Sequence, residues 1–132
     1  MSFIGPDSPD DLDVLTLPPG TYDAMLMSVA LEEDPHNRRE SGEPYQRANW
    51  RFIVDEIDMP DFTGYAVYDR TTLAKNKAGP YLTRCRAFGF DSKGFDTDEV
   101  IPEGGLPVKI TTVINVRDGV NWVNLKSAAL RD

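Results

Sequence analysis

Aromatic, amide and guanidinium side chains alternate with apolar ones between residues 45 and 56. Successive side chains of a β-strand point to opposite faces, so one strand can bury the apolar set and expose the polar set. The apolar set is Ala48, Trp50, Phe52 and Val54, and the polar set is Tyr45, Arg47, Asn49 and Arg51. Guanidinium groups pair with phosphates and aromatic rings stack on unpaired bases, so the polar set suits a nucleic-acid surface. Taken alone, this strand favours the simpler alternative of a half-buried strand whose polar face is only solvated.

A second segment, residues 65–73, repeats the combination of an aromatic ring and an arginine on one parity, in Tyr68 and Arg70. If the two segments are neighbouring strands, their polar sets form one patch, which cations from the flanking polar segments extend. Trp122, in a later predicted strand, is a weaker stacking candidate because a tryptophan near a hairpin often packs against the sheet. The predicted nucleic-acid-binding residues are Arg38, Arg39, Tyr45, Arg47, Asn49, Arg51, Tyr68, Arg70, Lys75, Lys77 and Trp122.

The elements that must position these residues are short strands separated by turn-forming sequences. The pattern predicts strands over residues 21–31, 45–56, 65–73, 108–117 and 120–126, a polar loop over 32–44, and a helix from Pro80 to Phe88 that Gly89 ends. Five strands with one helix between the third and fourth is the order of the OB-fold, a small Greek-key barrel that commonly binds single strands or oligosaccharides. We therefore expect an all-β fold with one helix, a five-stranded OB-fold barrel over residues 17–132. An acidic, mostly irregular arm over residues 1–16 precedes it.

The charge distribution decides more about partners than the net charge does. The chain of 132 residues carries a formal net charge of -8, and 40% of its residues are hydrophobic, which fits one globular domain. Residues 1–34 hold eight acids and no Lys or Arg, whereas residues 35–86 hold nine Lys and Arg against seven acids. The middle of the chain is therefore the positive part of an acidic protein, and the negative charge elsewhere disfavours non-specific binding to duplex DNA.

A single cysteine, Cys85, excludes an internal disulfide and a multi-cysteine zinc site. The only histidine, His36, falls in the polar segment 32–44, so Cys85 is predicted to be a small buried hydrophobe. No apolar run approaches the ~20 residues that cross a bilayer, and no basic segment leads into an apolar stretch at the N-terminus. We expect a cytoplasmic protein with no membrane partner, no metal and no cofactor.

The main enzymatic alternative is a metal-dependent nuclease. Pro60-Asp61 followed by Asp91-Ser92-Lys93 superficially matches a Pro-Asp…Asp-x-Lys pattern, in which two acids hold a metal and the lysine assists catalysis. Asp91 falls in a predicted loop just after Gly89, where that architecture requires a strand, and so short a pattern also arises by chance. We therefore expect no enzymatic activity.

Three runs of sequence resemble phage-encoded single-stranded DNA-binding proteins of the OB-fold type, over residues 17–127. They are LPPGTYDAML from Leu17, GEPYQRANWRF from Gly42 and AFGF from Ala87, together with VNWVNL from Val120 at the final hairpin. The resemblance implies binding of unpaired DNA with little sequence preference, without catalysis, in phage replication or recombination in the host cytoplasm.

In many such proteins an acidic C-terminal tail recruits partners. Here the acids stand at the N-terminus, which leaves open whether the arm contacts replication or recombination proteins. Exposed strand edges would allow a homo-oligomer, but no feature selects a symmetry. A non-enzymatic protein-interaction or structural barrel remains the principal alternative function, because fold alone does not fix function.

Overall fold

The structure, a computed structural model, describes residues 16–131, which form one antiparallel five-stranded sheet with one main helix. The strands are β1 (Gly20–Arg38), β2 (Pro44–Val54), β3 (Ala66–Thr72), β4 (Leu106–Arg117) and β5 (Val120–Leu130), and the helices are α1 (Gly79–Phe88) and the single turn α2 (Thr97–Val100). The strand order in the sheet is β3-β2-β1-β4-β5. The predicted element order and the position of the helix between β3 and β4 are confirmed. Of the predicted arm, residues 1–15 lie outside the described part of the chain.

β1 is much longer than predicted, and the expected polar loop over residues 32–44 is wrong. The strand continues to Arg38. It pairs with β2 through Glu32 opposite Arg47 and, after an irregularity between Glu33 and Arg38, again through Arg38 opposite Pro44. Only a tight turn remains between the strands, in which the Arg39 N–H donates to the Glu43 carbonyl at 2.7 Å. The polar composition reflects a largely exposed hairpin that extends beyond the core, since a β-hairpin needs no apolar residues where it leaves the core.

The core lies on the inner face of the sheet, under α1. Trp50 and Phe52 are fully buried, as the alternation in β2 predicts, and Trp50 contacts Phe88 of α1 at a centroid distance of 5.8 Å. The indole N–H of Trp50 donates to Thr71 Oγ1 of β3 at 2.8 Å, so its polar atom is satisfied inside the core. The inner parity of β2 and β3 is therefore fixed by packing, which leaves the other parity facing outward.

The helix α1 ends as its sequence predicts. Gly89 adopts a left-handed φ of 74°, and its N–H donates to the Arg86 carbonyl at 3.4 Å, which closes the last turn. Cys85 is 1% exposed, as predicted, and burial raises the pKa of its thiol above the ordinary value. Neither helix in residues 16–131 has the length and apolar content that a bilayer-crossing segment needs.

The two edge strands of the sheet, β3 and β5, approach each other because the sheet is strongly curved. Within the described residues the hydrogen-bonded ladder does not continue from β3 to β5, so the sheet is open along this seam. The closed barrel expected from the element order is thus not formed. The five expected strands are present and lie in one sheet in the order β3-β2-β1-β4-β5. The seam brings the outer surfaces of β3 and of the β4–β5 hairpin side by side.

Candidate functional site

The strand register collects the polar sets of β2 and β3 on one outer surface. Arg47 pairs with Thr72, Asn49 with Arg70, and Arg51 with Tyr68, so the partners in each pair point to the same side. On the other side of β2, the register adds Ser28, Ala30 and Glu32 of β1. We call these nine residues the outward face. They are Ser28, Ala30, Glu32, Arg47, Asn49, Arg51, Tyr68, Arg70 and Thr72.

Exposure of the outward face varies from strand to strand. Tyr68 is 45% exposed at the sheet edge, and the Arg70 guanidinium lies 5.8 Å from the centre of its ring. Arg47, Asn49 and Arg51 on the inner strand β2 are half-buried by their neighbours. Ring and cation are therefore most accessible along β3, whereas β2 supplies a partly enclosed row of polar groups behind them.

Glu32 lies within this row and was not among the predicted site residues. Its Oε1 atom accepts from Arg47 Nε at 2.9 Å and from Arg70 Nε at 3.2 Å. Glu32 falls in the segment expected to be a polar loop, where no contact with the arginines of β2 and β3 is predicted. The sequence contains a pattern that places Glu32 on the strand. Ser28, Ala30 and Glu32 follow one another at a period of two, so Glu32 continues the outward parity of β1. The pair of arginines is thus joined by one acid in the free protein.

A groove of about 410 Å³ follows the open seam between β3 and the β4–β5 hairpin. Its lining residues are Arg70, Arg117, Asp118, Val120, Trp122 and Asn124. Trp122 is 55% exposed and does not pack into the core. Its ring is therefore not buried against the sheet. The seam brings Trp122 beside Arg70 and adds Arg117, which sequence reasoning did not select. We call this the seam groove, and it continues the outward face.

A second basic cluster occupies the tip of the β1–β2 hairpin. The Arg39 guanidinium lies 4.5 Å from the centre of the Tyr45 ring, a cation–π contact, and Arg38 Nη1 donates to the Gly42 carbonyl at 3.1 Å. Lys77, from the segment between β3 and α1, donates through Nζ to Asn37 Oδ1 at 2.9 Å. These residues, with exposed Lys75, lie at the Arg47 end of β2. The predicted site residues therefore fall into two adjacent groups, one on the outward face and seam groove and the other at the hairpin tip.

Asp34 fixes the position of this hairpin relative to β3. Its carboxylate accepts hydrogen bonds from Thr72 Oγ1, from Asn37 Nδ2 at 2.8 Å and from the His36 N–H at 2.9 Å. Burial alone would raise the pKa of Asp34, but these hydrogen bonds outweigh it and lower the pKa to about 2. A buried, ionised carboxylate therefore ties the end of β1 to the end of β3.

Because the folded-state pKa of Asp34 lies below its ordinary value of 3.8, ionisation stabilises the fold above about pH 4. That contribution should be lost as the pH falls from about 4 towards 2. We expect Asp34→Asn to lower the free energy of unfolding by roughly 1 to 2 kcal/mol at pH 7, with the difference shrinking towards pH 2. Urea unfolding at several pH values measures this. Asp58→Asn, an exposed aspartate between β2 and β3, is the control. A deficit that stays constant down to pH 2 would contradict the assignment.

Asn49, at the centre of the outward face, carries an unusual polar atom. Its Oδ1 is buried and accepts no hydrogen bond within the described residues. Its neighbours across the ladders are Ala30 and Arg70. Buried polar atoms are normally satisfied, so Asn49 Oδ1 is an unpaired acceptor at the centre of the outward face.

The residues of the nuclease pattern lie in two different segments of the fold. Asp61 lies on a short 3₁₀ helix, Pro60–Phe62, between β2 and β3, and Asp91 Oδ1 accepts from the backbone N–H of Lys93 at 3.0 Å in the segment after α1. Among residues 16–131, no group of three or more His, Cys, Asp or Glu side chains is arranged to hold a metal ion.

Comparison with known proteins adds no assignment. No protein-family model, curated protein or solved structure matches the chain.

Proposed function

We propose that this protein binds single-stranded DNA, with little sequence preference and without catalysis, along the outward face and the seam groove. The observation that carries the proposal is that Arg70 of β3 lines the same groove as exposed Trp122 of β5, while its guanidinium also lies 5.8 Å from the centre of the Tyr68 ring. Exposed rings beside guanidinium groups are suited to a strand whose bases are unpaired, because the rings stack on bases while the cations pair with phosphates. A duplex hides its base faces, so this surface should prefer single strands.

The fold supports the same proposal. The strand order β3-β2-β1-β4-β5 and the helix between β3 and β4 agree with an OB-fold whose final closure, β3 against β5, is left open. In OB-folds the β2–β3 face and the loops after β1 and β4 are the usual ligand surface. In this chain the basic hairpin tip and the seam groove correspond to those loops. The OB-fold assignment is part of the proposal.

Electrostatics favours a local rather than a global attraction. The chain carries a net charge of -8, yet the outward face and the seam groove together hold four arginines, Arg47, Arg51, Arg70 and Arg117, against two acids, Glu32 and Asp118. Within a Debye length of ~10 Å at 0.1 M salt, a bound phosphate responds to these cations more than to distant acids. Binding should therefore be measurable at low salt and strongly weakened by added salt.

A labelled oligo-dT titration followed by fluorescence anisotropy tests the proposal. We expect micromolar affinity or better at 50 mM salt. With three to four phosphates contacted, we expect a fall of roughly 20- to 50-fold at 200 mM. Exposed Trp122 should lose emission on binding, whereas Trp50 is fully buried and should not respond. In Trp50→Phe, the same quenching should remain. Flat anisotropy at low salt would overturn the proposal.

Two additions to the same experiment separate the alternatives. Unlabelled duplex of equal length should compete much less well than unlabelled oligo-dT, and oligo-U reports any preference between DNA and RNA. Adding magnesium or manganese should leave the labelled strand intact, because the proposed site binds without catalysis. Cleavage that depends on the metal would instead support the nuclease.

The resemblance leads us to propose a role in phage DNA replication or recombination, with partner proteins as further ligands. A protein-interaction function is the second candidate, and one observation favours it. An apolar groove of about 470 Å³ between β1 and α1 has Leu31 and Leu82 on its lining, which are 59% and 42% exposed. If oligo-dT does not bind, this groove becomes the better guide to function.

A further inference from the structure

Glu32 occupies the position at which two arginines of the outward face converge. Arg47 comes from β2 and Arg70 from β3, and both Nε atoms donate to the same carboxylate oxygen. A non-bridging phosphate oxygen is an anionic acceptor of the same kind, and it forms the same charge-assisted hydrogen bonds with guanidinium groups. The arrangement around Glu32 is thus one that a backbone phosphate can also satisfy.

Burial explains why an acid is needed there in the free protein. The Arg47 side chain is only 22% exposed, and a partly enclosed cation without a partner is unfavourable. Glu32 is 36% exposed and belongs to β1, which lies on the far side of β2 from β3. Its side chain therefore approaches the arginines from the side opposite the β3 edge. It can therefore keep the two guanidinium groups paired in the free protein and still be displaced towards solvent.

We infer that Glu32 is an internal competitor that holds the phosphate position between Arg47 and Arg70 until a strand displaces it, an inference that rests on the proposed function. The chemical class of the displacing ligand is a phosphodiester. Because the exchange replaces one anion by another, the arginines are paired in both states. The competing carboxylate lowers the affinity for any strand and removes part of the positive charge that would attract anions without selection.

The test is Glu32→Gln, which keeps the side-chain shape and removes the charge. Deleting one anionic competitor should tighten binding of oligo-dT about fivefold at 50 mM salt. It should also make log Kobs against log salt steeper by about 0.7, because no displaced carboxylate remains to take up a cation when the phosphate releases one. Glu33→Gln is the matched control, because it removes the same charge from the neighbouring exposed residue of opposite parity. This control should change affinity much less.

The outcomes separate the inference from the proposed function. If the natural protein binds oligo-dT and Glu32→Gln binds equally or more weakly, Glu32 only positions the arginines and the inference is overturned. If neither protein binds, the proposed function fails and the inference fails with it. Equal thermal midpoints show that the variant is folded, and Glu32→Ala provides a second test should Glu32→Gln be unstable. A gain shared equally by Glu33→Gln would indicate a net-charge effect and would also overturn the inference.

Discussion

Replacing Arg47 and Arg51 together by alanine is expected to weaken oligo-dT binding by at least about tenfold at 50 mM salt, while leaving the fold intact. Both side chains point outward from β2, and each is expected to hold a phosphate. Losing two phosphate contacts should make the salt dependence shallower by about 1.4 in slope. Anisotropy titrations at four or more salt concentrations measure both quantities.

The thermal midpoint of this double variant should stay nearly unchanged. Arg47 makes a partly exposed ion pair with Glu32, and such pairs contribute about 0 to 1 kcal/mol. The matched control is Arg86→Ala with Lys93→Ala, which removes two exposed cations from α1 and the segment after it. That control should bind almost normally. If both double variants lose affinity equally, overall charge rather than the outward face governs binding, whereas a collapsed fold would show that β2 buries these arginines.

The sequence predicted the faces of β2 and β3 because packing there obeys a simple period of two. A strand that places Trp50 and Phe52 against a helix must put Arg47, Asn49 and Arg51 on the other side, whatever the rest of the chain does. Residues 32–44 show no such period of two. Composition there is polar on both parities, and only the pairing with β2 shows that the segment is strand.

Parts of the site that depend on tertiary geometry could not be predicted. Arg117 and Trp122 belong to β4 and β5, and they line one groove with Arg70 only because the curved sheet brings its two edges together at the seam. No local pattern encodes that meeting. Glu32 could be predicted only in part. The sequence predicts the first strand but ends it at residue 31, one residue before Glu32. The contact of Glu32 with arginines from two other strands depends on the register of β1, β2 and β3.

The second large effect concerns stability, and we expect Arg84→Ala to lower the free energy of unfolding by about 3 to 5 kcal/mol. Arg84 Nε lies 2.8 Å from Asp69 Oδ2, with side chains only 9% and 15% exposed. Asp69 sits opposite Trp50 in the β2–β3 ladder, so the pair attaches α1 to the inner face of β3. Removing the arginine leaves a buried carboxylate without its partner, which accounts for most of the loss. Urea unfolding at pH 7 gives the value.

Two comparisons show whether the pair itself is responsible. Arg86→Ala removes an exposed cation from the same helix and should change stability by less than about 0.5 kcal/mol. Arg84→Met combined with Asp69→Leu removes both charges at once and should recover most of the loss, because no unpaired charge stays buried. If Arg84→Ala costs less than about 1 kcal/mol, apolar packing of Phe88 and Tyr81 against Trp50 holds α1 in place instead. In that case the inner parity of β3 would be fixed by the core alone, and the outward position of Tyr68 and Arg70 would not depend on the ion pair.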